Sequence, residues 1–373
     1  MLIDTTLREG AQLFGVYMNG EDRIRIMRGL EQLGVQEMEL GWIGQEGIQE
    51  QLDSARSLNP RAHLSVWSPC RMQDIRTAAE MGVTRLNLGM PVSDAHLSER
   101  LGLGREQALE LVELSVGLAL QLGIEEVSLG LEDVSRADTS FALRMAELAV
   151  RTGAWRIRLA DTVGVFTPLD MADLVRVFRD KVKCFLAVHC HNDFGMATAN
   201  SCTGLEAGAD YADVSLLGMG ERAGIAATEE VAAWLAVQAG ADSYDLEGLR
   251  PLCEQAAELA DLPLSRIKAV AGKDIFACET GLHVHGIHRN TDLFEPFSPE
   301  LVGAERRVGL GAKSGRAAVR SALLEDIPDD RPWAEAVITA LTKAVRRCSL
   351  ELGRPLSHGE FHDLAAVCKG SSC

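Results

Sequence analysis

A (β/α)8 TIM barrel followed by a mostly helical C-terminal region is the fold class that three features predict. Eight short apolar runs alternate with amphipathic stretches over the first 240 or so residues. The first run is not followed by the G-x-G-x-x-G turn that would favour an open, doubly wound sheet. Beyond about residue 245 the alternation stops, so the chain divides into a barrel over 1–245 and a mostly helical region over 246–373.

The strand candidates are 2–5, 36–40, 64–67, 85–89, 126–129, 156–160, 185–191 and 213–217. Between them, segments such as 23–33, 105–122 and 140–151 carry apolar residues at i, i+3, i+4 spacing. Thr167-Pro168 and Gly20-Glu21-Asp22 mark helix starts. Gly34, Gly82 and Gly123 each stand before an apolar residue and mark helix ends. In the C-terminal region, 244–262 and 333–352 read as helices, and 300–325 as charged loops with another helix. Residues 272–289 read as an irregular stretch rich in His and Gly, and 368–373 as a disordered tail.

Composition restricts the partners. The 54 acidic and 37 basic residues leave a net charge of −17, which argues against a nucleic-acid surface. The nine cysteines include no C-x-x-C pair, the usage of a reduced chain. With no apolar run of bilayer length and a strand at the N-terminus, the expectation is a cytoplasmic protein without a membrane partner.

Chemistry collects where the strands end, the working face of such a barrel. The first strand runs into Thr6-Leu7-Arg8-Glu9-Gly10-Ala11-Gln12, the seventh into His189-Cys190-His191-Asn192-Asp193. Residues two apart share a strand face, so His189 and His191 point together while Cys190 points toward the helices. With Glu9 from a strand two places round the ring, they form a divalent-metal set with open positions. Mixed imidazole and carboxylate ligands are compatible with zinc, manganese or magnesium. Arg8 beside such a site is costly to bury unless it serves an anion or a developing oxyanion. After the eighth strand, Gly218, Gly220 and Glu221 belong to a glycine-rich turn that suggests phosphate or cofactor binding.

Four motifs in order are Asp4-Thr5-Thr6-Leu7-Arg8-Glu9-Gly10, His189-Cys190-His191-Asn192-Asp193, Gly218-Met219-Gly220-Glu221-Arg222-Ala223-Gly224 and Gly281-Leu282-His283-Val284-His285-Gly286. Over nearly the whole chain they resemble the metal-dependent barrels that include homocitrate, isopropylmalate and citramalate synthases and hydroxymethylglutaryl-CoA lyase. Glu132-Asp133 and Ala160-Asp161-Thr162 look most like the nitrogen-fixation homocitrate synthases.

The resemblance implies an acyltransferase that performs a Claisen condensation of acetyl-CoA with a 2-oxo acid, 2-oxoglutarate first among them. Oxaloacetate is the rival dicarboxylate, isopropylmalate or citramalate synthesis comes next, and a lyase is a further alternative. It assigns the metal to Glu9, His189 and His191, a catalytic role to Arg8, which holds the oxo group and stabilises the developing alkoxide, and substrate contacts to Gln12 and Thr162. Acid–base work falls to Glu132 and His283, the latter acting in a neighbouring subunit of a homodimer with exchanged C-terminal regions. Two departures stand out: Ile225 replaces an Asn ligand of many relatives, and Ser128 replaces a strand-five Arg that binds the distal carboxylate in lysine-pathway relatives. Arg71, at the end of strand three, is the candidate replacement for that Arg.

Overall fold

A computed structural model describes residues 1–326 and 333–370. Eight parallel strands close into a barrel in chain order: β1 (Leu2–Asp4), β2 (Glu37–Trp42), β3 (His63–Pro69), β4 (Arg85–Pro91), β5 (Glu126–Glu132), β6 (Arg156–Asp161), β7 (Phe185–Cys190) and β8 (Tyr211–Val214). The helices between and after them are α1 (Gly20–Leu33), α2 (Ile48–Ser57), α3 (Met72–Glu80), α4 (Arg105–Gln121), α5 (Thr139–Thr152), α6 (Pro168–Lys181), α7 (Ala197–Glu206), α8 (Thr228–Val237) and α9 (Leu249–Leu259). The barrel is therefore the fold the alternation predicts.

Local chemistry starts and stops these helices. Asn19 and Asp22 cap α1 reciprocally, at 3.0 and 3.1 Å, and Thr167 with Asp170 does the same for α6, with Pro168 in the first turn. Gly34, Gly82 and Gly123 all have positive φ, and Val35, Val83 and Ile124 after them are buried.

The barrel interior departs from the aliphatic filling usual in this fold. Its floor is aromatic: Trp155 meets Phe185 and Tyr211 edge-on at centroid distances of 5.3 and 6.0 Å, beside Ile3 and Ala187. Above it the inward positions are charged. Glu37 and Glu39 on β2, Arg85 and Asn87 on β4, and Arg156 and Arg158 on β6 are all buried. Such groups survive burial only when paired, and these are, as detailed below.

Strand β8 differs from expectation. It spans Tyr211–Val214 rather than 213–217, because the chain turns into a 3-10 segment at Leu216–Gly218, with Leu217 at φ +58°. The Leu216 amide donates to Thr6 Oγ1 at 2.8 Å instead of continuing the ladder. A strand carrying an inward Asp213 has too little apolar signal for sequence reading to place it.

The chain forms two compact units, Met1–Leu264 and Ser265–Cys373. The first extends past residue 245 because α9 packs against α1. The second holds β9 (Ala277–Cys278), α10 (Gly281–Arg289), β10 (Arg307–Val308), α11 (Arg316–Asp326), α12 (Glu335–Leu352) and α13 (His358–Gly370). Strands β9 and β10 pair in parallel. Leu310, Val319, Leu323, Ile338, Leu341, Val345 and Phe361 form the unit's core.

Helix α10 lies where an irregular stretch was expected. Its glycines lower helix propensity, yet a Cβ on Gly286 would collide with the Phe294 ring, so that glycine serves packing. Of the expected tail, Cys368–Gly370 ends α13, and 371–373 lie outside the described residues.

Candidate active site

Strand β1 ends at Asp4, whose carboxylate accepts from the Thr6 amide at 2.9 Å and the Thr228 hydroxyl at 2.6 Å. The chain then coils, with the Arg8 and Glu9 amides both donating to the Thr5 carbonyl, which sets Arg8 and Glu9 at the barrel mouth. Strand β7 delivers His189, and His191 follows immediately after its end. The ligand-type atoms of Glu9, His189 and His191 lie within 4.8 Å of one another, and all three residues are buried. The two imidazole Nε2 atoms stand 3.3 Å apart, and Glu9 Oε2 is 3.9 Å from His189 Nε2.

The surroundings prepare these atoms for a cation. Asp213 Oδ2 lies 2.8 Å from His189 Nδ1, a contact that keeps the proton on Nδ1 and leaves Nε2 as a lone-pair donor. Burial and the neighbouring His189 push the His191 imidazole down to about 3, so it is neutral at ordinary pH. Burial raises the Glu9 carboxyl, but Arg8 and the imidazoles outweigh it and hold it below its usual range. One carboxylate and two imidazoles converging in a buried pocket fit a divalent metal. Strand β8 lies between β7 and β1, which lets Asp213 brace the cluster.

A cavity of about 250 Å³ opens beside these ligands. Arg8, Gln12, Glu132, Thr162 and Glu221 all line it, so strands one, five, six and eight contribute as the motifs predict. Arg8 donates through Nε to Glu39 Oε2 at 2.6 Å and through Nη1 to Glu9. Thr162 Oγ1 accepts from the Asp133 amide at 2.8 Å, which fixes its hydroxyl at the cavity edge. Cys190 is buried on the helix side, and burial pushes its thiol up, which agrees with a packing role.

Other candidates sit elsewhere. Arg71 precedes α3 with its side chain 75% exposed, 3.9 Å from Asp74, and does not line the cavity. Strand β3 ends at Pro69, so Arg71 has already turned onto the helix start. Gly218 and Gly220 also stay outside the cavity lining and shape the turn instead. A Cβ on Gly220 would stand 3.2 Å from Glu9 Cγ, and one on Gly224 would collide with the Gly218 carbonyl. His283 lies on α10 in the second unit, exposed, with its ring 4.3 Å from that of Phe294.

Several residues of this site escaped sequence reading: Glu39, Asp213, Arg158 and Arg100. Arg100 lies in the π-helical turn His96–Leu101 and pairs with Glu132. Glu37-Met-Glu39 and Arg156-Ile-Arg158 repeat a charge every second residue, the spacing of one strand face. Opposite charges at period two on two buried strands are the signal that could have found them.

A parallel barrel whose mouth gathers two imidazoles, a carboxylate and a buried arginine defines a divalent-metal enzyme of the (β/α)8 class. Residues 1–255 match the HMGL-like family, and 270–331 match the family described as homocitrate synthase post-HMGL domain-like. The chain belongs to the HMGL-like family. It is 39% identical over 324 residues to a homocitrate synthase of Frankia alni, covering 86% of this chain and 92% of that one. It is 35% identical over 362 residues to 2-isopropylmalate synthase 2 of Caldanaerobacter subterraneus subsp. tengcongensis, covering 96% of this chain and 93% of the relative. Among solved structures, an HMG-CoA lyase from Brucella melitensis matches in fold with a TM-score of 0.63 and 20% identity, over 70% of this chain and 98% of that one. Among the described residues no helix is long and apolar enough to cross a membrane.

Proposed function

We propose that this protein is a homocitrate synthase-like acyltransferase that condenses acetyl-CoA with 2-oxoglutarate. The observation that carries the reading is the convergence of Glu9, His189 and His191 beside Arg8, in one cavity with Glu132 and Thr162. A divalent metal held by the three ligands would supply Lewis acidity toward the 2-oxo group.

The chain's own groups account for the rest. Arg8 is held by Glu39 and Glu9 and turns positive charge toward the oxygen that becomes an alkoxide when the new C–C bond forms. Thr162 orients the substrate's 1-carboxylate, and Gln12 adds a polar contact at the same mouth. Glu132 accepts a proton from the acetyl methyl group, and Arg100 beside it steadies the carboxylate. His283 completes this acid–base pair from the neighbouring subunit of a homodimer with exchanged C-terminal regions. Gly218, Gly220 and Glu221 form the turn against which the coenzyme lies. Water then cleaves the thioester, releasing free thiol and the tricarboxylic acid.

The test is thiol release from acetyl-CoA by metal-loaded protein, measured with 2-oxoglutarate, oxaloacetate, pyruvate and 2-oxoisovalerate. The reading expects the fastest release with 2-oxoglutarate and homocitrate as product. Preference for pyruvate or 2-oxoisovalerate would contradict the substrate. Acetoacetate formed from hydroxymethylglutaryl-CoA, with no condensation, would replace the synthase by a lyase.

A further inference from the structure

We infer that Arg158 is the specificity-determining cation of this site and receives the second carboxylate of a 2-oxo dicarboxylate. The inference rests on the condensing-enzyme reading above and names the group that selects its substrate.

The cavity is lined by three arginines, each paired with at least one carboxylate. Arg8 is bound to Glu39 and Glu9 at the reacting end, and Arg100 is paired with Glu132 on the more exposed side. Arg158 is only 4% exposed. Its Nη1 donates to Glu39 Oε1 at 3.1 Å, and its Nε lies 2.9 Å from Asp213 Oδ2. Its Nε and Nη2 are both buried with no hydrogen bond among the described residues, the Nε contact to Asp213 being an ion pair only. Buried donors are nearly always paired, so an orphaned guanidinium nitrogen on a residue that lines the cavity points to an acceptor supplied by a ligand. A fork locked on two sides by carboxylates is already oriented for a third.

Strand β5 carries no side chain beside Arg158, while the space over Gly89 on β4 is taken by Trp67 and Glu132. Gly130 is the register partner of Arg158, Gly89 is the register partner of Gly130, and both line the cavity. One step below, Ser128 pairs with Arg156, whose guanidinium is taken up by Glu37 and Asn87. The cation missing from β5 at Ser128 is thus supplied one strand over, on β6. An apolar substrate arm would leave the Nη2 donor unpaired, which selects against monocarboxylates.

Arg158→Gln and Gly130→Ala, made in the full metal-loaded chain, test the inference. Both are assayed for thiol release with 2-oxoglutarate and pyruvate, and by calorimetric titration with 2-oxoglutarate alone. Arg158→Gln should lower the ratio of kcat/KM for 2-oxoglutarate over pyruvate on the order of 100-fold, with a parallel loss of calorimetric affinity. Gly130→Ala leaves the ion pairs intact, since its Cβ would meet Arg158 Cδ at an ordinary 3.9 Å. It narrows the cavity beside Arg158 and should lower the same ratio about tenfold. If Arg158→Gln does not fold, Gly130→Ala decides alone. An unchanged ratio and unchanged affinity in the folded variants overturn the inference. Wild-type preference for pyruvate over 2-oxoglutarate overturns it too, while leaving the condensing reading standing. No thiol release with any 2-oxo acid defeats the condensing reading, and calorimetry then still decides whether Arg158 holds the dicarboxylate.

Discussion

Glu37 and Glu39 stand one inward step apart on β2, and each meets an arginine from β6, yet the two layers they anchor are finished differently. In the lower layer every charge is matched. Glu37 accepts from Arg156 at 2.8 and 2.9 Å and from Arg85 at 2.7 Å, while Asn87 bridges Glu37 and Arg156. Arg156 also lies over the rings of Trp155 and Tyr211 at 4.8 and 4.9 Å. The upper layer also sets arginine against carboxylate, but among the described residues it leaves Arg158 Nε and Nη2, Asp213 Oδ1 and His191 Nδ1 without hydrogen bonds. A satisfied buried network supports the fold; an unsatisfied one facing a cavity awaits a ligand. The functional layer is recognised by what it lacks.

Changes at the mouth should separate activity from stability most sharply. Glu9→Gln should cost about 1000-fold or more in turnover, since several kcal/mol of charge stabilisation depend on the metal it helps hold. Steady-state thiol release checks this, and intact turnover would remove the metal from the account. In the lower layer the effect should be on folding. Glu37→Leu strands two buried arginines and should cost about 3–5 kcal/mol in denaturant unfolding, with the folded fraction still active.

The Glu37 layer also sets the acid limit. Burial raises its carboxyl, but Arg156 and Arg85 outweigh that and hold it far below the usual carboxylate range. A depressed folded-state value stabilises fully above the unfolded value of about 4.3 and loses that contribution as pH falls further. Stability measured from pH 6 to pH 3 should therefore fall steeply below about pH 4, and Glu37→Gln should flatten that limb. Parallel curves for the two proteins would show the layer to be uncoupled from acid unfolding.

Asp213→Asn tests the join between the layers, where one carboxylate touches both His189 and Arg158. Metal affinity by equilibrium dialysis should weaken about 10–100-fold, as expected when the partner fixing a ligand's tautomer is changed. The smallest effect belongs to Arg100→Gln. That half-exposed side chain pairs with Glu132, and its loss should lower kcat about fivefold or less.

The same contrast explains what could be read from sequence. The strand ends carrying Arg8, Glu9, His189 and His191 were legible because period-two spacing and barrel topology converge there without any tertiary detail. Glycine caps placed the helix ends for the same local reason. Arg158 was not legible as a site residue, because its importance lies in guanidinium nitrogens left without hydrogen bonds once Glu39 and Asp213 are in place. Arg71 attracted attention by its place after β3, but a two-residue turn carries it onto the start of α3 and out to solvent. Strand β8 was shifted because Asp213 interrupts its apolar pattern, and that interruption is what braces His189.

The most direct test of the division between layers is the metal content of purified wild-type, Glu9→Gln and Glu37→Gln proteins after dialysis against a divalent cation. The account predicts about one ion per chain in the wild type and in folded Glu37→Gln, and a large loss in Glu9→Gln. Equal metal content in Glu9→Gln and wild type would contradict it.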